Sequence, residues 1–316
     1  MADTKISGLT AATQVNGTDQ FPVNQGGTSK RVTASQLRKS AGTLPTINSI
    51  GTEFSSTAAP TATLPAVVAQ DDILILVLQS SQQNLATPAS YTQLGPQNGI
   101  GAAAAAGSTR LGIFWKRAGA SESAPTITDS GDHTYGVMFT VRGCPTTGDP
   151  FRMIGQAWKF TASTTGTAAA GRTTVPNSLV VSIFAQAIDA ASAQGSSPTN
   201  ASLTSVTEVF DSGTADGTGG GIYVMSGVAV DPTPVTAGTV TWGSSTVDVS
   251  TTIAFIPEDA FAIARNPEVW TFIGGPPNLD DTWTKPSGAT RVLAQLVDGG
   301  GGGSGGNTTT TAAGGG

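Results

Sequence analysis

The stretch DILILVLQ, residues 72–79, contains the longest uninterrupted apolar run of the chain. A second stretch of similar character, NSLVVSIFAQAI, follows about a hundred residues later at 177–188. Continuous apolar runs of this length, bounded by turn residues, are typical of strands buried on both faces. They are far too short to cross a bilayer, which takes about 20 apolar residues as a helix. The two runs therefore predict the central strands of a β-structure.

Shorter β-like segments accompany each run, and the two sets come in the same order. The first comprises 72–79, 91–95, 109–118, 125–129 and 134–143, and the second comprises 177–188, 204–211, 220–229, 239–243 and 249–257. Four pairs of positions match with offsets that grow from 105 to 115 residues, as loop insertions would make them: Leu74 with Leu179, Leu111 with Ile222, Ile127 with Val240 and Met138 with Ile253. We predict an all-β, antiparallel β-sandwich, jelly-roll-like and of about 8–10 strands, which is either an internal duplication or two halves of one sandwich.

Composition limits the classes of function. Only 11% of the residues are charged, and the formal net charge is −6. Nucleic acid is therefore not expected as a partner, because phosphate binding needs clustered Lys and Arg. Cys144 is the sole cysteine, which excludes an intrachain disulfide. No apolar run follows the N-terminal charges, so neither Sec export nor membrane insertion is expected.

The two ends of the chain differ from its middle, and we predict three parts: residues 1–45, the central sandwich at 46–257, and 258–316. The first part has few sizeable apolar residues, among them Ile6, Leu9, Phe21, Val23 and Leu37. Burying them cannot offset the entropy of ordering so many backbones, so this part is expected to order by docking onto a partner, with one short helix at 34–39. The last part includes a linker or helix at 257–266, a strand at 292–297 and a glycine-rich tract from Gly299.

Residue types that carry chemistry are sparse. His133 is the one histidine, and it lies in DSGDHTYG (129–136) beside Asp129 and Asp132. A cation site is the alternative to an ordinary Asp-Gly hairpin there, and the same choice applies to Asp211 and Asp216 in DSGTADGTGGG (211–221). We favour hairpin turns in both stretches. We accordingly predict no enzyme activity, no catalytic residue, no cofactor and no metal.

Two binding or catalytic alternatives stay open. Paired carboxylates meet only in the fold, so a polysaccharide depolymerase is an alternative that rests on the scarce glutamates, Glu53, Glu122, Glu208, Glu258 and Glu268. Two tryptophans have basic neighbours and suggest a sugar or nucleic-acid platform: Trp115 with Lys116 and Arg117, and Trp158 with Lys159. We favour ordinary packing with extended cationic side chains for them. A secreted carbohydrate-binding module is disfavoured by the lack of an export signal.

The chain resembles virion proteins of tailed bacteriophages at both ends. The N-terminal segment carries Ile6 to Leu9, the Gly17 to Asp19 turn, Phe21 to Val23, Gln25 to Gly27 and Gln36-Leu37, a run similar to the attachment segment of phage fibre proteins. The C-terminal segment, with Trp283, Pro286, Gly288, Ala289 and the polyglycine that follows, resembles the glycine-rich terminal module of phage tail proteins. The middle is similar in character to a β-domain of the same proteins.

This resemblance implies a structural protein of the virion, assembled in the host cytoplasm. It implies a tail fibre or tail-tip component that docks onto other virion proteins through Ile6, Leu9, Phe21, Val23 and Leu37, forms a homotrimer and contributes to attachment to the host, with a cell-surface glycan as a further partner. The chain lacks the shaft of repeats of long fibres, so a capsid head fibre or decoration protein is the alternative. Depolymerase activity is a more remote one.

Overall fold

The computed structural model describes residues 20–25, 28–33, 44–173, 175–231 and 234–258. All of them belong to the first of two units of the chain, Met1–Pro267; the second, Glu268–Gly316, lies outside the described residues. The described residues form strands, turns and loops but no helix, and none of them therefore belongs to a helix able to span a membrane. Strands β1 (Gln20–Gln25) and β2 (Thr28–Thr33) form an antiparallel hairpin.

The first half of the sandwich forms one antiparallel sheet, here called sheet 1. Its strands are β3 (Thr46–Ile50), β4 (Phe54–Ser56), β5 (Ile73–Ser80), β6 (Thr92–Gln93), β7 (Asn98–Ile100), β8 (Thr109–Arg117) and β9 (Thr134–Arg142). They lie in the order β3-β9-β5-β8-β6, with β4 also paired to β9 and β7 to β8.

The second half forms sheet 2. Its strands are β10 (Phe151–Thr167), β12 (Ser178–Gln186), β13 (Gly195–Thr199), β14 (Thr204–Thr214), β15 (Gly220–Ala229) and β17 (Thr239–Phe255). They lie in the order β10-β17-β12-β15-β14, with β13 also paired to β17. A separate two-stranded pair joins β11 (Gly171–Arg172) to β16 (Pro234–Val235).

The main core lies between the two sheets, because alternate residues of each strand point to one face. Ile73, Ile75 and Val77 of β5 share this core with Leu179, Val181 and Ile183 of β12. The intervening residues are buried as well: Leu74, Leu76 and Leu78 belong to a second apolar cluster on the outer face of sheet 1. Both faces of the central strands are thus covered, which explains why their sequences are continuously apolar.

The two sheets have the same connectivity and the same register. The five main strands of each half, numbered in chain order, lie side by side in the order 1-5-2-4-3. In this comparison β6 and β7 together correspond to β14. Ile73 pairs with Arg117 and Val141, and Leu179 pairs with Val228 and Phe255 in the equivalent strands. The register of the first strand shifts at the same place in both halves, between Ile47 and Ser49 in β3 and between Phe151 and Met153 in β10. The two halves of the sandwich are therefore structural repeats.

A glycine occupies the same position of both repeats, where a loop crosses the sheet. A Cβ on Gly51 would lie 2.8 Å from the Thr63 carbonyl oxygen, and one on Gly155 would lie 2.6 Å from that of Ala170. The close approach leaves no room for a side chain in either half.

The predicted antiparallel β-sandwich is confirmed, with finer differences. Each sheet comes from one continuous half of the chain, so the connectivity is not that of a jelly roll, in which the chain passes repeatedly between sheets. Short strands raise the total to 7 in sheet 1 and 6 in sheet 2. Residues 125–129 contribute a single bridge, Thr61 to Thr126, and 239–243 and 249–257 belong to one strand, β17.

The predicted pairing of the halves is one residue out of register in two places. Leu74 and Met138 lie on the outer face of sheet 1, whereas Leu179 and Ile253 lie in the core between the sheets. In the structure the residue of the first repeat that is equivalent to Leu179 is Ile73 and not Leu74. A continuous apolar run does not reveal which of its alternating positions face the core, and this is the cause of the error.

Candidate functional site

Four polar residues link the two halves at one end of the sandwich, and we call them the polar junction: Gln79, Asp132, His133 and Thr218. Asp132 and His133 immediately precede β9 of sheet 1, and Thr218 lies in the loop between β14 and β15 of sheet 2. The junction therefore joins the two aspartate- and glycine-rich stretches that the sequence presents separately, 129–136 and 211–221.

His133 is fully buried, and each of its ring nitrogens faces an acceptor. Nδ1 lies 2.8 Å from Asp132 Oδ2, and Nε2 lies 2.9 Å from Gln79 Oε1. The Gln79 amide nitrogen donates to the Ser80 carbonyl oxygen at 3.1 Å, which leaves the amide oxygen facing His133. The histidine is thus held from both sides and has no ring nitrogen free for a substrate or a metal.

Asp132 accepts hydrogen bonds from both halves. Besides the contact with His133, its Oδ2 accepts from the Thr218 backbone N–H at 2.9 Å and from the Thr218 hydroxyl at 2.8 Å. Burial acts to raise the pKa of Asp132, but the hydrogen bonds from His133 and Thr218 outweigh it and hold the pKa below its usual value. Asp132 is therefore a charged acceptor that ties sheet 1 to sheet 2.

Two glycines of the 211–221 stretch allow this close contact. A Cβ on Gly217, which has a φ of 57°, would lie 2.5 Å from Asp132 Oδ2. A Cβ on Gly220, with a φ of 150°, would lie 2.2 Å from Gln79 Nε2. Both the backbone conformation and the lack of space require glycine at these positions.

The other aspartates of the two stretches do not join this group. Asp129 Oδ1 accepts from the Gly131 backbone N–H at 2.8 Å within its own turn. Asp211 accepts from the backbone N–H groups of Gln194 and Gly195, at 3.1 and 2.7 Å, on the outer face of sheet 2. Among the described residues, no group of three or more His, Cys, Asp or Glu is arranged to hold a metal ion. Asp129 therefore stabilises its own turn, whereas Asp211 is a residue of strand β14 that holds the start of β13.

Sequence reasoning did not find Asp248, a buried carboxyl group on the outer face of sheet 2. Its Oδ2 accepts from Trp242 Nε1 at 3.1 Å. Burial raises the pKa of Asp248 to about 6, although the Trp242 hydrogen bond and the charge of Lys159 act against the rise. Trp242 also packs edge-to-face against Phe184 and Tyr223, at 5.7 and 5.8 Å between ring centroids. The only signal in the sequence was one charged residue within an otherwise uncharged strand.

The glutamates considered for a depolymerase are spread over the molecule. Glu122 pairs with Lys116 at 2.6 Å, Glu208 accepts from the Tyr223 hydroxyl at 3.4 Å, and Glu53 lies 3.5 Å from the Ser212 hydroxyl. Ser212 pairs with Ile222, which faces the core between the sheets, so the side chain of Ser212 and its contact Glu53 lie on the inner side of β14. The neighbouring Asp211 projects from the outer side of the same strand. Glu258 ends the described chain, and Glu268 lies beyond it. These contacts bring no two of the described glutamates to a common space.

The structure separates the two tryptophans with basic neighbours. Trp115 is partly buried against the core and lies edge-to-face on Phe151, with 5.1 Å between ring centroids. Its neighbours are engaged as well, Lys116 with Glu122 and Arg117 with the carbonyl oxygen of Gly148 at 3.0 Å. Trp158 instead lies on β10, the edge strand of sheet 2, and is 45% exposed. Phe160, two residues further along, is 73% exposed.

Of the docking and module residues suggested by resemblance, the described structure includes only Phe21 and Val23. Phe21 and Val23 belong to β1, where they pair with Val32 and Lys30 of β2. Ile6, Leu9 and Leu37 lie outside the described residues. The same is true of Trp283, Pro286, Gly288 and Ala289, and of the predicted helix at 34–39, the segment at 259–266 and the strand at 292–297.

No protein-family model matches the chain, and neither a curated protein nor a solved structure matches it.

Proposed function

We propose that the protein is a structural component of a tailed-phage virion, a tail fibre or tail-tip protein. In this proposal the N-terminal segment anchors the chain to other virion proteins, the sandwich is the body of a homotrimer, and the body contributes to attachment to the host. The resemblance of the two ends of the chain to phage fibre proteins supports the setting.

One observation on the sandwich supports a binding rather than a catalytic role. Two of the polar side chains that were candidates for chemistry are engaged with other side chains or with the backbone: His133 with Asp132 and Gln79, and Asp211 with the start of β13. The outer strand β10 meanwhile exposes two aromatic side chains. Such a body has the means to bind a partner through its surface.

Immunogold electron microscopy of intact particles of the virus that encodes this chain tests the proposal. Antibody raised against residues 46–257 is expected to label the tail or its tip. Label over the head would replace the tail assignment by a head fibre or decoration protein, and unlabelled particles would end the virion proposal.

A substitution in β1 tests the anchoring role. Phe21→Ala is expected to abolish incorporation into particles, because few other apolar residues are available for docking. Asn24→Ala is the matched control, because Asn24 is a polar residue of the same strand and is not among the proposed docking residues. Incorporation is measured by quantitative blotting of purified particles, and circular dichroism checks that the sandwich is folded. Normal incorporation of Phe21→Ala would contradict the proposed anchor.

A further inference from the structure

Two aromatic side chains on β10 form the surface feature that the fold itself does not explain, and we call them the aromatic edge: Trp158 and Phe160. They lie two residues apart in one strand and are both exposed, whereas Lys159 between them is half-buried. Of the large apolar side chains that the structure describes as exposed, they are the only aromatic ones. Exposed aromatic groups side by side are typical of recognition surfaces.

The structural repeat provides an internal control for this feature. Trp158 pairs with Val249 of β17, and the equivalent residue of sheet 1, Ser55, pairs with Tyr135 of β9. The same framework thus folds with a small hydroxyl side chain at this position. After Ser56 the first repeat leaves the sheet, whereas β10 continues past Phe160 to Thr167. The aromatic edge is an addition to the repeat and not a requirement of its packing.

The groups around the aromatic edge are hydroxyls rather than charges. Thr161, Thr164 and Thr165 are exposed next to it. Lys159 is the only charged side chain described on β10, and its ammonium group donates to the Thr165 carbonyl oxygen. The carboxyl group of Asp248 is buried on the opposite face of sheet 2, because its neighbour Val249, which pairs with Trp158, faces the core between the sheets. The surface therefore combines two apolar rings with polar, uncharged groups.

We propose that the aromatic edge binds a neutral glycan. Pyranose rings combine apolar C–H faces, which pack on aromatic rings, with hydroxyls that pair with threonine hydroxyls and backbone groups. Acidic glycans are disfavoured because Lys159 is already engaged. This inference deepens the proposed function and rests on it for its biological setting, since the glycan would belong to the host surface.

An added β-strand fits the same edge less well. The pairing of β10 with β17 is regular from Met153 to Lys159 and is irregular between Lys159 and Ser163, next to Phe160. Such a bulge bends the strand and interrupts the row of backbone groups that an incoming strand would need. The aromatic rings lie where continuous strand addition ends.

The test uses the purified full-length chain on a printed array of bacterial oligosaccharides that carries neutral hexose and hexosamine repeats beside repeats containing uronic acids. The neutral oligosaccharide with the strongest signal is then titrated by isothermal calorimetry. Trp158→Ala and Phe160→Ala are each expected to weaken binding about ten-fold or more, as is usual for aromatic anchors. Val67→Ala is the matched control, because Val67 is 51% exposed and lies in a loop of the first repeat. It is expected to bind as the unchanged protein does.

Four results would overturn the inference: no binding to any neutral glycan on the array, binding to acidic glycans alone, unchanged affinity in both aromatic variants, or loss of self-association in those variants without glycan binding. The last, measured by light scattering, would make the edge an interface between copies of the chain. Phe160 is so exposed that its variant is expected to fold, which equal melting temperatures would check. Labelling of particles is measured separately, so a virion protein without glycan binding refutes this inference alone.

Discussion

Removal of the Asp132 carboxylate should destabilise the sandwich far more than removal of the carboxylate three residues before it. Asp132→Ala leaves His133 Nδ1 and both donors of Thr218 without their acceptor. Hydrogen bonds to a charged group contribute about 1.5–3 kcal/mol each, but three that share one oxygen do not add, and water reaches part of the site because the Asp132 side chain is 15% exposed. We expect a loss of about 3 kcal/mol in the free energy of unfolding, the upper end of the range for one such hydrogen bond, because three donors lose their shared acceptor.

Asp129→Ala is the matched control from the same turn. The exposed Asp129 accepts a single hydrogen bond, from the Gly131 backbone. Its loss is expected to cost at most about 1 kcal/mol. Both variants are measured on the full chain by urea unfolding followed by tryptophan fluorescence. Equal effects of the two substitutions would refute the reasoning that Asp132 ties the sheets together.

The pH dependence gives a second test of the same group. The pKa of Asp132 is lowered in the folded protein, so its stabilising effect is fully present above the unfolded pKa, about 3.9, and is lost as the pH falls through the lower folded value. The unchanged protein should therefore lose stability below about pH 4 more steeply than Asp132→Asn does. A melting temperature that rises with added Ca²⁺ in the unchanged protein but not in Asp132→Ala would instead indicate a cation site.

Two further predictions concern the sheets. Gly51→Ala and Gly155→Ala should each lower the free energy of unfolding, measured in urea, by about 1–3 kcal/mol, because the new Cβ atoms meet backbone atoms. Gly119→Ala is the control and should not destabilise the protein, because its Cβ would have no atom closer than 3.7 Å. Equal effects of the three substitutions would contradict the close approach. Asp248→Asn should stabilise the protein by about 2–3 kcal/mol at pH 7–8 and have no such effect below pH 4. The reason is that the pKa of Asp248 is raised in the folded protein, so ionisation of this carboxyl group destabilises the fold as the pH rises from 4 through 6. A difference in melting temperature that does not change with pH would refute this.

The sequence was sufficient for the fold class and for the presence of two similar halves. The apolar runs lie in strands 73–80 and 178–186, which are buried on both faces. A continuous apolar run indicates burial of this kind. It was not sufficient for the edges. Strand β10, Phe151–Thr167, is rich in threonine, glycine and alanine, and it lies in the sheet because β17 offers it a partner. Tertiary pairing of that kind leaves little trace in local periodicity.

The candidate sites show the same division. Both aspartate-rich stretches were recognisable, and so were the tryptophans with basic neighbours. Whether the residues of these stretches form a site depends on which of them meet across the sandwich. Asp132 contacts Thr218, which is 86 positions away, and no spacing in the sequence indicates that contact. Likewise, exposure separates Trp158 from Trp115, although both have basic residues beside them. Only the fold decides which of two similar patterns packs inside and which faces outward.

The order of the strands along the chain has a consequence for synthesis on the ribosome. All strands of sheet 1 have been synthesised once Arg142 of β9 has emerged. Its inner apolar face is covered only by sheet 2, whose last strand, β17, ends at Phe255 more than a hundred residues later. At roughly 5–20 residues per second that interval lasts about 6 to 23 seconds. During this time the inner residues of β5, Ile73, Ile75 and Val77, have no second sheet to pack against. A nascent chain therefore exposes an apolar surface that favours association with other chains until the second half of the sandwich follows.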